Sequence, residues 1–191
     1  MQQLLLDQPV VEGAQPFPAK AYGVIYADPP WQYEDKKTNR GGAERHYRTM
    51  SDHEIQNLPV SQIAENDALL FLWATWAKLP AALQTIHCWG FTYKTDAFLW
   101  VKRNKRAKSW FMGMGAYTRA NSEFCLLGVR GKGLKRQSAK VHQIIEAPIG
   151  KHSEKPPETR DRIIQLVGDL PRIELFAREK VDGWDSWGDE I

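Results

Sequence analysis

The four residues Asp28-Pro29-Pro30-Trp31 are of the types from which an amine-activating site can be built. They follow an apolar run, Tyr22-Gly23-Val24-Ile25-Tyr26-Ala27, that reads as a buried strand. Proline lacks the N–H a ladder needs and fixes φ, so the strand stops there and a rigid loop begins. In open α/β sheets the carboxyl ends of strands are where ligands bind. The carboxylate of Asp28 and a firmly held carbonyl on Pro29 can both accept hydrogen bonds from one exocyclic amino group. The N6 amine of adenine is a poor nucleophile because its lone pair is conjugated with the ring. Two such acceptors favour a more tetrahedral nitrogen, able to attack a methyl sulfonium, and fixed acceptors need little reorganisation at the transition state. Trp31 adds a face on which a purine can stack. The plainer reading of the same residues is a turn with an N-cap Asp and a packed Trp.

The C-terminal third holds further candidates. Arg172-Ile173-Glu174-Leu175-Phe176-Ala177-Arg178 reads as a strand entering a polar loop. Lys155-Pro156 lies upstream, just before a predicted helix, and Trp187-Gly188-Asp189-Glu190 comes near the end. Together with Asp28-Pro29-Pro30-Trp31, this ordered set resembles the MT-A70 family of adenine-N6 methyltransferases. The likeness runs from about Tyr22 to Ile191. It takes in His46-Tyr47-Arg48-Thr49-Met50-Ser51, Phe98-Leu99-Trp100-Val101-Lys102 and the segment from Glu123 to Gly131.

The resemblance implies S-adenosyl-L-methionine as cofactor, with Asp28, Pro29, Pro30 and Trp31 as the catalytic motif. Ser153 and Lys155 match a Ser-x-Lys-Pro element, with Lys155 a suitable point charge for the methionine carboxylate. Glu154 stands where the eukaryotic enzyme has His. Glu174, Phe176 and Arg178 match a Glu-Leu-Phe-Gly-Arg type element in which Ala177 replaces Gly. Asp189 and Glu190 match an Asn-Gln or Asn-Glu pair that contacts ribose and adenine, and carboxylates there can accept from both ribose hydroxyls. Taken singly, each of these residues reads more readily as a surface ion pair or a cap.

These residues need a scaffold, and the rest of the chain describes one. Its 191 residues suit one domain, with 1–20 as an N-terminal tail and 21–191 as the methyltransferase domain. Strands are expected at Tyr22–Ala27, Asp67–Ala74, Thr92–Lys102, Ser122–Arg130, His142–Ala147 and Arg172–Ala177. Helical periodicity covers Trp76–Trp89 and Pro157–Val167, and Ser51-Asp52-His53-Glu54 resembles a capping box. Gln32–Thr49 reads as a loop over the site. Alternating strands and helices indicate an α/β fold: a mostly parallel, Rossmann-like sheet with helices on both faces. No G-x-G-x-x-G turn follows any predicted strand. The catalytic motif comes first and the cofactor strand last, a circularly permuted order that the resemblance implies.

Charge and composition narrow the partners. The net charge is +3, and two basic clusters stand out, Lys102–Lys108 and Arg130–Lys140. Such patches track a phosphate backbone or are simply solvated loop charge. The first reading makes Tyr33, Lys102, Arg103, Lys105, Arg106, Lys132, Lys135 and Arg136 candidate nucleic-acid contacts flanking one path. No apolar run reaches the ~20 residues that cross a bilayer. The N-terminus lacks the pattern of a signal peptide. Two cysteines, Cys88 and Cys125, suit a reducing cytoplasm, and the five histidines show no zinc spacing. The expected activity is adenine-N6 methylation of DNA, by analogy with compact phage and bacterial enzymes. Methylation of RNA is the alternative, and a silent nucleic-acid-binding partner subunit is the reading from a different class. Monomer and homodimer both stay open.

Overall fold

The computed structural model describes residues 15–33, 49–115, 117–150 and 154–191. Among these, the elements run β1 Tyr22–Ala27, α1 Asp52–Gln56, β2 Ala64–Ala74, α2 Leu79–Cys88, β3 Thr92–Arg103, β4 Ser122–Arg130, β5 Ile144–Pro148, α3 Glu158–Val167, β6 Arg172–Leu175 and β7 Asp185–Trp187. The strands form one seven-stranded sheet in the order β5-β3-β4-β2-β1-β6-β7. Neighbours are parallel except that β4 runs antiparallel to both β2 and β3.

Every residue of β1 is buried, which explains its unbroken apolar run: a central strand is covered on both faces. Alternate side chains feed two separate cores. Ile25, Ala27, Leu70 and Leu72 pack with Ile55 of α1 and with Ala82 and Ile86 of α2. Val24, Tyr26, Phe71 and Trp73 pack with Ile163 and Val167 of α3 on the other face. Helices therefore cover both faces, as the α/β reading expects.

Local signals set the helix ends. Ser51 Oγ accepts from the Glu54 N–H at 3.2 Å, and Glu54 Oε2 accepts from the Ser51 N–H at 2.7 Å, a complete capping box. Gly168, at φ 88°, closes α3. The segment expected as one helix from Trp76 to Trp89 divides into a 3₁₀ turn, Trp76–Lys78, and then α2. The last long strand stops at Leu175, two residues early, because Phe176 turns to φ 60°. A short seventh strand, β7, adds parallel to β6.

The described end of the expected tail is attached. Gln15 O accepts from Trp187 Nε1 at 2.7 Å, and Phe17 packs on the Trp187 ring at 4.7 Å. Most of the expected loop Gln32–Thr49 lies outside the described residues. No helix among those described is long and apolar enough to cross a membrane.

One edge of the sheet gathers the chemistry. The carboxyl ends of β1, β2, β3, β5 and β6 lie along it, and reversed β4 contributes its first residues.

Candidate active site

Asp28 leaves β1 at this edge, and the loop after it is pinned by backbone bonds. Pro29 O accepts from the Trp31 N–H at 2.8 Å, and Pro30 O accepts from the Met50 N–H at 2.9 Å. A carbonyl oxygen has two lone pairs, so Pro29 O keeps one acceptor position beyond its turn bond. Trp31 is 4% exposed, and its Nε1 donates to Trp73 O at 3.0 Å. The purine face expected on Trp31 is therefore buried in the core. This ring anchors the loop from beneath.

Four alternating charges run from Asp28 across the edge. Lys155 Nζ donates to Asp28 Oδ2 at 2.7 Å and lies 3.3 Å from Glu123 Oε2. Lys102 bonds the other Glu123 oxygen. These side chains are mostly buried, so each ion must be answered by another or bear an uncompensated desolvation cost. Burial pushes the Asp28 carboxyl up, against the opposing pull of Lys155. Burial pushes Glu123 the same way, but Lys155 and Lys102 outweigh it and hold that carboxyl below its ordinary value. For Lys155, burial favours the neutral amine, yet the two carboxylates outweigh it and hold the ammonium above the usual lysine range. The expected free point charge for a methionine carboxylate is instead shared between two acids of this chain.

Glu123 was not among the residues read from sequence as part of a site. Its signal is an acid in second position of an otherwise apolar strand, Ser122-Glu123-Phe124-Cys125-Leu126. Burial at 7% exposure makes such an acid costly unless it is paired. Trp73 was also missed. Its ring lies 5.8 Å from Lys155 Nζ, and its Nε1 donates to the buried Tyr26 hydroxyl at 2.8 Å.

A second buried ion pair stands beside the first. Glu174 of β6 pairs in register with Tyr26 of β1, two residues before Asp28. Arg160, in the first turn of α3, grips it with a fork: Nε to Oε2 at 2.7 Å and Nη2 to Oε1 at 3.0 Å. Burial raises the Glu174 carboxyl, and Arg160 opposes the rise. Immediately beyond, Phe176 takes its positive φ, a conformation that costs a bulky side chain energy and must be held by its surroundings. The Ala177 N–H donates to Trp187 O at 3.0 Å, and the Phe176 ring meets the Trp187 ring edge-on at 5.4 Å. Gly188 fits because any Cβ there would come within 2.6 Å of Ala177 O. Arg178 Nε lies 3.8 Å from Glu190 Oε1, and Asp189 and Glu190 are exposed. Ser153 lies outside the described residues.

The ends of β6 and β7 thus bring together one cation, three carboxylates and an aromatic ring beside part-buried Asp28 after β1 and buried Glu123 of β4. An amino-acid carboxylate, an ammonium, a ribose diol and an adenine call for that donor set, so the residues present fit S-adenosylmethionine by chemical type.

The structure separates the basic candidates. Lys102 belongs to the charge chain. Arg103 lies over the Trp110 ring at 3.4 Å and pairs with Glu146 at 2.6 Å, with Lys105 and Arg106 exposed beyond it. Tyr33 sits across the edge, its hydroxyl 2.9 Å from Thr75 Oγ1. Trp76, absent from the expected set, is 55% exposed at the end of β2. The second cluster lies elsewhere. Arg130 pairs with Ala68 at the far end of β2, and the Lys132 N–H donates to Asp67 at 2.7 Å. Six residue steps of β2 separate Ala68 from Ala74 at the catalytic edge, roughly 20 Å at the rise of a strand. Lys132, Lys135 and Arg136 do not flank the catalytic loop, and the expectation of one path between two clusters is corrected accordingly.

Comparison with known proteins gives the chain's relatives. The MT-A70 family model matches residues 22–190. The chain is 36% identical to the type II methyltransferase M.MunI of a Mycoplasma species, over 96% of this chain and 83% of that protein. It is 29% identical to the human N(6)-adenosine-methyltransferase catalytic subunit METTL3, over 89% of this chain but 28% of that protein. A probable N(6)-adenosine-methyltransferase of rice is 30% identical over 89% of this chain and 23% of its own length. The chain belongs to the MT-A70 family.

Proposed function

We propose that this protein transfers a methyl group from S-adenosylmethionine to the N6 amine of adenine in DNA, with Asp28 as the principal amine acceptor. The observation that carries this reading is Asp28 at the end of β1, held at 2.7 Å by Lys155 and followed by a carbonyl fixed between two prolines. When bound, S-adenosylmethionine supplies a methyl sulfonium, an electrophilic carbon whose leaving group is neutral. Asp28 accepts a hydrogen bond from one amine hydrogen and Pro29 O from the other, drawing electron density toward nitrogen as the bond to methyl forms, and the methylated nitrogen then releases one proton to water. Lys155 keeps Asp28 ionised and aimed; Glu123 and Lys102 keep Lys155 in place. Glu174, steadied by Arg160, accepts from ribose hydroxyls, and Phe176, Arg178, Asp189 and Glu190 complete the cofactor side, with Ser153 carried over from the sequence motif alone. Tyr33 and the exposed part of the first cluster, Lys105–Lys108, face the nucleic acid.

DNA is favoured because a relative matched over most of both chains is a type II methyltransferase. The relatives named for adenosine are matched over about a quarter of their lengths. A cytoplasmic site of action fits the exposed free thiol of Cys88. The test is methyl transfer from labelled cofactor to DNA and RNA oligonucleotides, read by mass spectrometry of the nucleosides. N6-methyladenine in DNA, lost in Asp28→Ala, is the expected result. Transfer confined to RNA would replace the substrate, and turnover unchanged in the variant would remove Asp28 from the chemistry.

A further inference from the structure

Between β3 and β4 the chain makes an excursion from the catalytic edge, and its surface is unusual. Residues 104–121 contain four basic residues, Lys105, Arg106, Lys108 and Arg119, and not one Asp or Glu. Large apolar side chains stand out from it: Trp110 is 42% exposed, Met112 69%, Met114 75% and Tyr117 fully exposed. Exposed apolar side chains scattered singly are ordinary, but a cluster of them marks a contact surface.

The excursion is built. The Phe111 N–H donates to Lys102 O at 2.9 Å and the Gly113 N–H to Ala120 O at 2.8 Å, so the chain doubles back twice. Asn104 Nδ2 closes the first turn on Ser109 Oγ at 2.9 Å and Trp110 O at 3.1 Å. Gly115 has no room for a side chain, since a Cβ would fall 2.1 Å from Thr118 O. At the base, the Arg103 guanidinium carbon sits 3.4 Å from the Trp110 ring centroid and covers one side of that ring. Both ends join the site directly. Lys102 binds Glu123 where the excursion leaves β3, and the Lys102 N–H donates to Asn121 O at 2.8 Å where it returns to β4.

We infer that residues 104–121 form a base-stacking arm that binds unpaired nucleotides beside the target adenine. This rests on the nucleic-acid methyltransferase reading above. It goes beyond that reading by naming the state of the substrate: a strand that is single or locally opened at the arm. Flat faces and polarisable side chains offer stacking surface to bases of any sequence, and the acid-free basic rim suits the phosphates that accompany them. A base stacked within a duplex has no face to offer Trp110, whereas an unpaired one does. A neutral or acidic protein surface would satisfy the apolar tips but gives no reason for the location, against the residues that hold Asp28.

The test compares wild type, Trp110→Ala, Trp110→Phe and Tyr117→Ala with a triple variant, Lys105→Ala/Arg106→Ala/Lys108→Ala. Affinity for a fluorescently labelled 20-nucleotide DNA strand and for its duplex is followed by anisotropy across a salt series. Methyl transfer to the same strands is measured alongside. Trp110→Ala should weaken single-strand binding roughly five- to hundredfold at an unchanged salt slope, with a smaller effect on the duplex. Trp110→Phe should retain most of the affinity, and Tyr117→Ala, whose side chain packs on little, should fall in the same direction without loss of thermal stability. The triple variant should lower the slope of log affinity against log salt by about 0.7 for each single-strand phosphate that the arm no longer neutralises. If wild type methylates adenine but Trp110→Ala and Tyr117→Ala bind single strands as well as it does, the arm is overturned and the methyltransferase reading stands. If wild type moves no methyl group to nucleic acid, both fall. Equal losses on single strand and duplex would show a backbone contact and overturn the stacking role, as would binding of the arm to anionic phospholipid vesicles in preference to DNA.

Discussion

Asp28, just past the end of β1, is part-buried and Glu174, on neighbouring β6, is buried, and the chain answers each acid with a cation from the same stretch, Lys155 before α3 and Arg160 within it. The two answers differ in kind. Arg160 gives Glu174 a private, bidentate fork, planar and permanently charged, with a looser reach to exposed Glu179 at 3.4 Å. Lys155 gives Asp28 one bond and shares its ammonium with Glu123, which in turn shares itself with Lys102. A fork holds a carboxylate in one orientation. A shared ammonium on a flexible stem lets a carboxylate keep its charge and still exchange partners. The first suits a group that must hold a ligand, the second a group whose bonds must change during a reaction.

The comparison is broken most severely at Lys155. Lys155→Met keeps the volume and removes the charge, leaving Asp28 and Glu123 buried without their common partner. Stability should fall by about 3–5 kcal/mol, the cost of breaking one side of a buried pair. Burial already pushes the Asp28 carboxyl up, so without Lys155 it rises further. Activity needs the ionised form, so the acid limb of the pH–rate profile should move to higher pH in this variant. Urea unfolding with a pH–rate series checks both, and an unshifted acid limb would separate Lys155 from Asp28.

Asp28→Asn tests the chemical half alone, since the amide keeps the shape. It should lower kcat by roughly two to three orders of magnitude, the scale for one preorganised polar group aimed at a transition state. Cofactor affinity from calorimetry should stay within about twofold. A variant that loses cofactor binding and keeps turnover at saturation would exchange the roles given to Asp28 and Glu174.

Arg160 tests the binding half. Arg160→Ala should weaken S-adenosylmethionine binding about tenfold while turnover at saturating cofactor changes little. Arg160→Lys should recover only part of it, because a point charge cannot reproduce the fork. The groups facing Glu174 are Arg160, Asp28, Glu179 and the Tyr26 hydroxyl, and Arg160 is the cation among them. Without it, burial and two like charges push the carboxyl up, so cofactor affinity should fall as pH drops toward 5 in the variant and much less in wild type. A stability loss with pH-independent affinity would make Arg160 purely structural.

What the amino-acid sequence shows of this arrangement depends on range. β1 and β4 are legible to the residue, because burial on both faces leaves an apolar run with polar punctuation. The capping box of α1 is legible because its partners are three residues apart. Trp31 is ambiguous in principle: a stacking face and a core ring have the same letter, and only its 4% exposure decides. Arg160 looks like a solvated charge on a polar helix turn, since its partner is a strand away. The early end of β6 is hidden because Phe176 occupies a conformation that glycine normally signals. The misplaced second basic cluster has the plainest cause. β4 runs antiparallel between two strands of the opposite direction, so its first and last residues lie at opposite edges, and nothing local records a strand's direction.

The smallest effect is expected at a further, part-buried acid, which sharpens the contrast by having neither fork nor ammonium. Asp96 lies on β3, its Oδ1 is buried without a hydrogen-bond partner, and no cation among the described residues pairs with it. Burial pushes its carboxyl up to about 6 against an ordinary value of 3.8, with a backbone bond from Cys125 pulling the other way. Between those two values the folded chain binds more protons at this position than the unfolded chain does. Ionisation of Asp96 therefore costs stability as pH rises from about 4 through 6, and the cost is fully present above that range. The opposite sign holds for Glu123, whose lowered pKa contributes stability above its unfolded value and loses it as pH falls. Asp96→Asn removes the charge and keeps the shape. Relative to wild type, its melting temperature should gain a few degrees at pH 8 and nothing at pH 4, a gain on the scale of about 1 kcal/mol for a domain of this size. Melting curves at the two pH values are enough to decide. A difference from wild type that is the same at both would mean that the Asp96 carboxyl stays in one protonation state throughout, and that a part-buried acid in this sheet does not need its cation in order to tolerate its charge.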